Sequence, residues 1–163
     1  MKYLFLFLFS ASIVAANTAD TSALNVATRQ GMLRGIIENG VFVWKGVRYA
    51  QPPVNTMRFK LPQPLSTWEG VRNATEYGNV AHQPINKLSS EGKMDEDCLF
   101  LNVWASAEKT VKKPVMFWIH GGGYALGAGS DEIYNGSELC AKGDVIVVTC
   151  NYRMGPQIGR AHV

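Results

Sequence analysis

Charge is scarce in this chain of 163 residues: 18% are Asp, Glu, Lys or Arg, and the net charge is only +3. The cations are scattered, with a single cluster at Lys109, Lys112 and Lys113. Neither nucleic acid nor an anionic membrane surface is therefore expected as a partner. Cysteine is scarcer still. The spacing of Cys98, Cys140 and Cys150 matches no metal site. Three thiols cannot all pair within one chain, so at least one is free, bonded to another chain, or paired beyond these residues. Internal repeats and interdomain linkers are lacking, and past residue 16 no apolar run is long enough to cross a bilayer. What is abundant is apolar character. At 47% it fits one ordinary globular domain with a real core and excludes a disordered chain.

Residues 1 to 16 differ in kind from the rest. Met1-Lys2 is a short basic start, Tyr3 to Val14 is almost wholly apolar, and Val14-Ala15-Ala16 places small residues where a signal peptidase reads. A secretory signal cleaved after Ala16 is expected, the alternative being an uncleaved anchor, for which the stretch is short. The mature chain would be secreted or luminal, with no membrane span left after cleavage. Asn73-Ala74-Thr75 and Asn135-Gly136-Ser137 agree with that compartment, offering Asn73 and Asn135 for N-glycosylation.

Residues 17 to 25 are small and polar and read as a disordered lead-in. Val26 to Arg34 and Val41 to Trp44 read as strands, with the hairpin signal Asn39-Gly40 before the second. Pro52, Pro53, Pro62 and Pro64 make residues 48 to 68 extended and irregular. Leu99 to Trp104 and Val115 to Ile119 are the next strands. A loop of glycine and small polar residues, Gly127 to Gly136, leads to a short helix over Ser137 to Lys142, opened by a Ser cap and stopped at Gly143. Val145 to Thr149 reads as a fully buried strand. Strand, loop, helix and strand in that order argue for a right-handed crossover and a parallel sheet in an α/β fold.

The most informative segment is Val115-Met116-Phe117-Trp118-Ile119-His120-Gly121-Gly122-Gly123-Tyr124. Five apolar residues behind Pro114 read as a strand buried on both faces, as inside a parallel sheet. Three glycines at its end free the backbone to turn sharply and expose amides with no Cβ in the way. Such amides suit a negative charge developing on oxygen, and His-Gly-Gly-Gly after a strand is the lipase and esterase form of an oxyanion hole. A flexible glycine turn with no ligand is the alternative from these residues alone.

Several motifs in register then resemble one family. Gly46 to Pro53 (GVRYAQPP), Met57-Arg58-Phe59, Leu61-Pro62, Trp68 to Val71, Glu96 to Trp104 (EDCLFLNVW), the glycine segment and Asn151 to Pro156 (NYRMGP) follow the pattern of type-B carboxylesterases and lipases. These are the cholinesterase-like branch of the α/β-hydrolases, and the resemblance spans residues 26 to 156. It implies the N-terminal part of an α/β-hydrolase fold: a mostly parallel central sheet preceded by a small antiparallel N-terminal sheet. It also implies two oxyanion donors, the N–H groups of Gly122 and Gly123, with His120 and Gly121 shaping the loop. Arg58 and Glu96 would form a buried ion pair worth about 3–5 kcal/mol if broken from one side. Arg153 would pair with an acid further along the family's chain.

Departures from the family pattern carry information too. The family commonly bridges its signature cysteine to one seventeen residues upstream, in a Cys-Pro-Gln context, but here that place holds Ala81. Cys98 is therefore expected to be a buried free thiol. Residues 82 to 97 hold no aromatic residue that could seat a choline cation, which favours a broader carboxylesterase over a choline-ester enzyme. No Gly-x-Ser-x-Gly occurs in the 163 residues, so the nucleophile, acid and histidine of a serine triad are not among them. Ser130 reads as a loop serine and His82 as a surface residue. Gln157 to Val163 abandons the family pattern, and Ile158 to Val163 matches one frame of a common sequencing adapter, so this stretch is expected to be a non-native tail. The parent protein is thus expected to hydrolyse small carboxylic esters through an acyl-enzyme, without metal or cofactor, while these residues alone are inactive. A catalytically dead cholinesterase-like adhesion protein is the alternative.

Overall fold

The computed structural model describes residues 21–85, 92–107 and 112–157. The leader, the start of the lead-in, Lys109 and residues 158–163 lie outside them. Among the described residues, eight strands form two sheets. β1 (Asn25–Ala27), β2 (Met32–Arg34) and β5 (Val71–Asn73) make the smaller one, in that order. β3 (Ile36–Glu38), β4 (Val41–Arg48), β6 (Phe100–Ser106), β7 (Val115–Ile119) and β8 (Ile146–Cys150) make the larger one. Its order is β3-β4-β6-β8-β7.

The Asn39-Gly40 hairpin forms as the sequence predicts. Both residues take positive φ, +49° and +78°, which a two-residue turn twisted to match its strands demands. Along β4, successive side chains then go to opposite faces. Val41 and Val43 join Trp104, Cys140 and Val147 in one core cluster. Phe42 and Trp44 join Ala23, Leu24, Leu33 and Ala74 in another. A third cluster, Ala50, Ala81, Cys98, Leu99 and Met154, gathers beyond the start of β6.

Several expectations need correction. The lead-in is ordered from Thr21: a 3-10 turn spans Thr21–Leu24, and Trp44 Nε1 donates to the Leu24 carbonyl at 3.0 Å. Burial of Ala23 and Leu24 supplies what their polar neighbours lack. Residues 26 to 34 are two strands, because Thr28 folds back on Gly31 (2.8 Å) and reverses the chain. The central sheet is mixed, with antiparallel pairing at β3–β4, β4–β6 and β6–β8 and parallel pairing only at β7–β8. The one parallel pair of this sheet is joined by the one strand–helix–strand unit among the described residues. The small sheet is mixed as well, since β5 reaches β2 through the long proline-rich segment and pairs parallel.

That single helix, α1 (Ser137–Gly143), has Gly136 at its N-cap and no side-chain cap. Asn135 Oδ1, not Ser137, takes up a free amide there, that of Ser137 at 3.0 Å. The left-handed stop is Asp144 at φ +53°, one residue past the expected glycine. β7 departs from the expected burial: among the described residues it is paired on the β8 side only, and all five of its residues are exposed, Phe117 by 53%.

Candidate active site

The parallel register sets Ile119 opposite Cys150, so the chain leaves β7 and β8 side by side. His120 follows one strand and Asn151-Tyr152 the other. The rings of His120 and Tyr152 stack at 4.4 Å and 15°, and Tyr152 Oη donates to the His120 carbonyl at 2.6 Å. His120 is buried, with Nδ1 2.8 Å from the Gly121 carbonyl. A carbonyl only accepts, so Nδ1 carries the proton and the neutral tautomer leaves Nε2 bare. Nε2 meets no donor among the described residues. Burial holds the His120 pKa below its ordinary value, which fits an imidazole kept neutral.

Past His120 the backbone turns where glycine is required. Gly122 has φ +122°, and a Cβ there would lie 1.9 Å from the Leu126 carbonyl oxygen. The turn closes through bonds from the Ala125 and Leu126 amides to the Gly122 carbonyl, at 3.0 and 3.2 Å. Gly121, Gly122 and Gly123 are all exposed. The amides of Gly122 and Gly123 donate to no acceptor among the described residues. Two adjacent, unsatisfied donors at a strand's carboxyl end can receive an oxyanion.

The supports of this loop were not singled out from the sequence. Gln83 Oε1 accepts from the Gly127 amide at 2.8 Å. Asn151 Oδ1 accepts from Gly129 at 2.7 Å, and its Nδ2 donates to the Asn79 carbonyl at 2.9 Å. Asn102 Nδ2 donates to Thr149 Oγ1, which itself donates to the Gly129 carbonyl at 2.6 Å. The signal available was polarity out of place: Asn102 and Thr149 sit inside otherwise apolar strands and are buried, and buried amides and hydroxyls need partners. Arg48 was also missed. It grips Asp97 with both guanidinium nitrogens and lies over the Phe100 ring at 4.4 Å.

The singled-out residues are dispersed around this core. Arg58 and Glu96 do meet, at 2.7 Å, but the pair is not buried: the side chains are 51% and 26% exposed. Arg58 lies on the irregular proline-rich segment, which runs over the surface, so solvent screens the pair. Cys98 is free and fully buried, and desolvation pushes its thiol up to about 12. Arg153 is buried and donates to the Lys60 carbonyl at 2.7 Å. His82 is exposed. Asn73 is exposed at the end of β5, whereas Asn135 is half-buried and engaged with the start of α1. Among the described residues no helix is long and apolar enough to cross a membrane, and no three His, Cys, Asp or Glu gather as a metal site.

Comparison with known proteins matches residues 22–157 to a family model described as the carboxylesterase family. The para-nitrobenzyl esterase of Bacillus subtilis (strain 168) is 50% identical over 135 residues, covering 80% of this chain and 28% of that protein. The cholinesterase of Mus musculus is 38% identical over 144 residues, covering 80% of this chain and 24% of that one. A solved structure of PNB esterase superposes with a TM-score of 0.77 at 50% identity, over 83% of this chain and 28% of that one. The chain thus spans between 24% and 28% of the length of these curated relatives.

Proposed function

The chain belongs to the carboxylesterase family and carries the N-terminal part of its α/β-hydrolase fold, and from that premise we propose that the whole protein is a serine-dependent carboxylic ester hydrolase. The observation that carries the reading is the pair of exposed amides at Gly122 and Gly123, which meet no acceptor among the described residues and sit just past β7 on a turn that requires glycine at Gly122. A serine hydroxyl, deprotonated by a histidine, attacks the ester carbonyl and drives its electron pair onto oxygen. The two amides hydrogen-bond that oxygen as its charge grows. Collapse expels the alcohol, which takes its proton from the histidine, and leaves an acyl-enzyme for water to hydrolyse. Serine, histidine and acid come from outside these 163 residues, which hold no Gly-x-Ser-x-Gly.

The substrates are small carboxylic esters, and no metal or cofactor takes part. The stretch from 82 to 97 supplies no aromatic seat for a quaternary ammonium, which favours broad esters over choline esters. Residues 1 to 16 direct the protein to the secretory route, with cleavage after Ala16 and glycans at Asn73 and Asn135.

The test is to complete the coding sequence and assay the full-length protein on p-nitrophenyl esters, with and without a serine-directed organophosphate. Turnover that the inhibitor abolishes supports the reading. No turnover, or a residue other than serine at the elbow, overturns it in favour of a dead adhesion homologue. Within an active protein, Gly122→Ala keeps the amide but misplaces it, and should lower kcat by up to the roughly 100- to 1,000-fold that follows loss of an oxyanion donor. The imposed Cβ would have to displace the Leu126 carbonyl.

A further inference from the structure

We propose that Gln83 is a positioning residue for the oxyanion loop, gripping both polar groups of Gly127 with one carboxamide; this rests on the esterase reading of Gly122 and Gly123. Gln83 is buried. Its Oε1 accepts from the Gly127 amide at 2.8 Å. Its Nε2 donates to the Gly127 carbonyl at 3.2 Å and to the Ala81 carbonyl at 3.3 Å. One side chain thereby does for Gly127 what a neighbouring strand would do, satisfying donor and acceptor together.

Gly127 is in turn packed against the loop's origin. At φ +103°, a Cβ on it would lie 2.7 Å from His120 Nδ1 and 2.9 Å from the Gly121 carbonyl oxygen. The residue before it, Leu126, donates its amide to the Gly122 carbonyl at 3.2 Å and sets its own carbonyl against the Gly122 Cα. Contacts therefore run from Gln83 to Gly127, to Leu126, and to the first of the two oxyanion donors. Letting Gly127 drift lets the wall behind Gly122 drift with it. An oxyanion hole owes its effect to donors fixed in advance of the reaction, so a shift there falls on the transition state more than on ground-state binding.

The chemistry of the grip makes a distinctive prediction. Glutamate has the same length, but its ionised carboxylate only accepts, so it would face the Gly127 carbonyl with no proton to give. Protonated, one oxygen accepts from the Gly127 amide while the hydroxyl donates to the carbonyl, which restores the grip.

The experiment uses the full-length protein and p-nitrophenyl butyrate, with active sites counted by organophosphate titration so that misfolded molecules drop out. Gln83→Ala should lower kcat per titrated site by about 10- to 100-fold with KM little changed, the scale of a displacement of an ångström or less. Gln83→Glu should show a similar deficit at pH 8, and its activity relative to wild type should climb as the pH falls. Unchanged kcat per site in Gln83→Ala, or a pH-independent ratio for Gln83→Glu, overturns the proposal while leaving the esterase reading intact. Absence of turnover in the wild type overturns the esterase reading itself. The grip is then judged by amide exchange over residues 121 to 127: faster exchange in Gln83→Ala supports it, and unchanged exchange overturns it.

Discussion

β7 and β8 run side by side, parallel, five residues each, and are comparably apolar, yet their surroundings are opposite. β8 lies between β6 and β7, and four of its five residues are buried. β7 has one hydrogen-bonded edge and buries none. Met116 and Trp118 line an open apolar groove with Ile133 and Leu139, and the Trp118 and Tyr134 rings meet at 5.5 Å. Composition states what a strand prefers to touch; its place in the strand order decides what it does touch. An uncovered apolar edge is also adhesive, because its free N–H and C=O groups can pair with another chain.

The contrast can be broken most forcefully from the buried side. Trp104 is fully buried and packs with Val43, Cys140 and Val147, bridging β6 to β8. Trp104→Ala should cost about 3–5 kcal/mol, read from the urea midpoint of the 163-residue chain. A cost under about 1 kcal/mol would mean that the inner strands are not the core. The next effect lies where the two strands end. His120 is kept neutral by burial, so the unfolded chain binds its proton more readily than the folded one. Stability should therefore hold above pH 6.5, the ordinary value, and decline as the pH falls below it. In His120→Gln that segment of the pH profile should flatten; an identical profile would assign the acid sensitivity elsewhere. On the exposed side the expected effects shrink. Phe117→Lys should change stability by no more than about 0.5 kcal/mol. It should nevertheless reduce concentration-dependent association in sedimentation velocity; a midpoint shift as large as that of Trp104→Ala would erase the contrast. Smallest of all, Arg58→Ala should cost less than about 1 kcal/mol, as a solvent-screened pair does, and a double-mutant cycle with Glu96 measures it.

Much of this was legible from local rules. Asn39-Gly40 announced its turn because few other pairs accept two positive φ angles. The glycine segment announced its loop for the same reason at Gly122, and Ala81 announced the free thiol at Cys98. Misreadings arose where tertiary contacts outvote local preference. Thr21 to Leu24 looks too polar to order, yet a tryptophan twenty residues on pins Leu24. Asp144 takes the left-handed stop although a glycine precedes it. The ion pair at Arg58 was legible as a pair but not as an exposed one, since exposure belongs to the segment's path. Gln83 was invisible for a similar reason: its partner is 44 residues away, and no local pattern links them.

Pairing Ile119 with Cys150 makes the two strands a common ruler for everything that emerges beyond them. Deleting one residue from β8 would move Asn151 and Tyr152 back by one step and turn each to the opposite side. Gly129 would lose its amide partner and the imidazole its aromatic floor in the same event. Natural variants of this chain should accordingly vary in length within the β6–β7 connection far more readily than inside either strand.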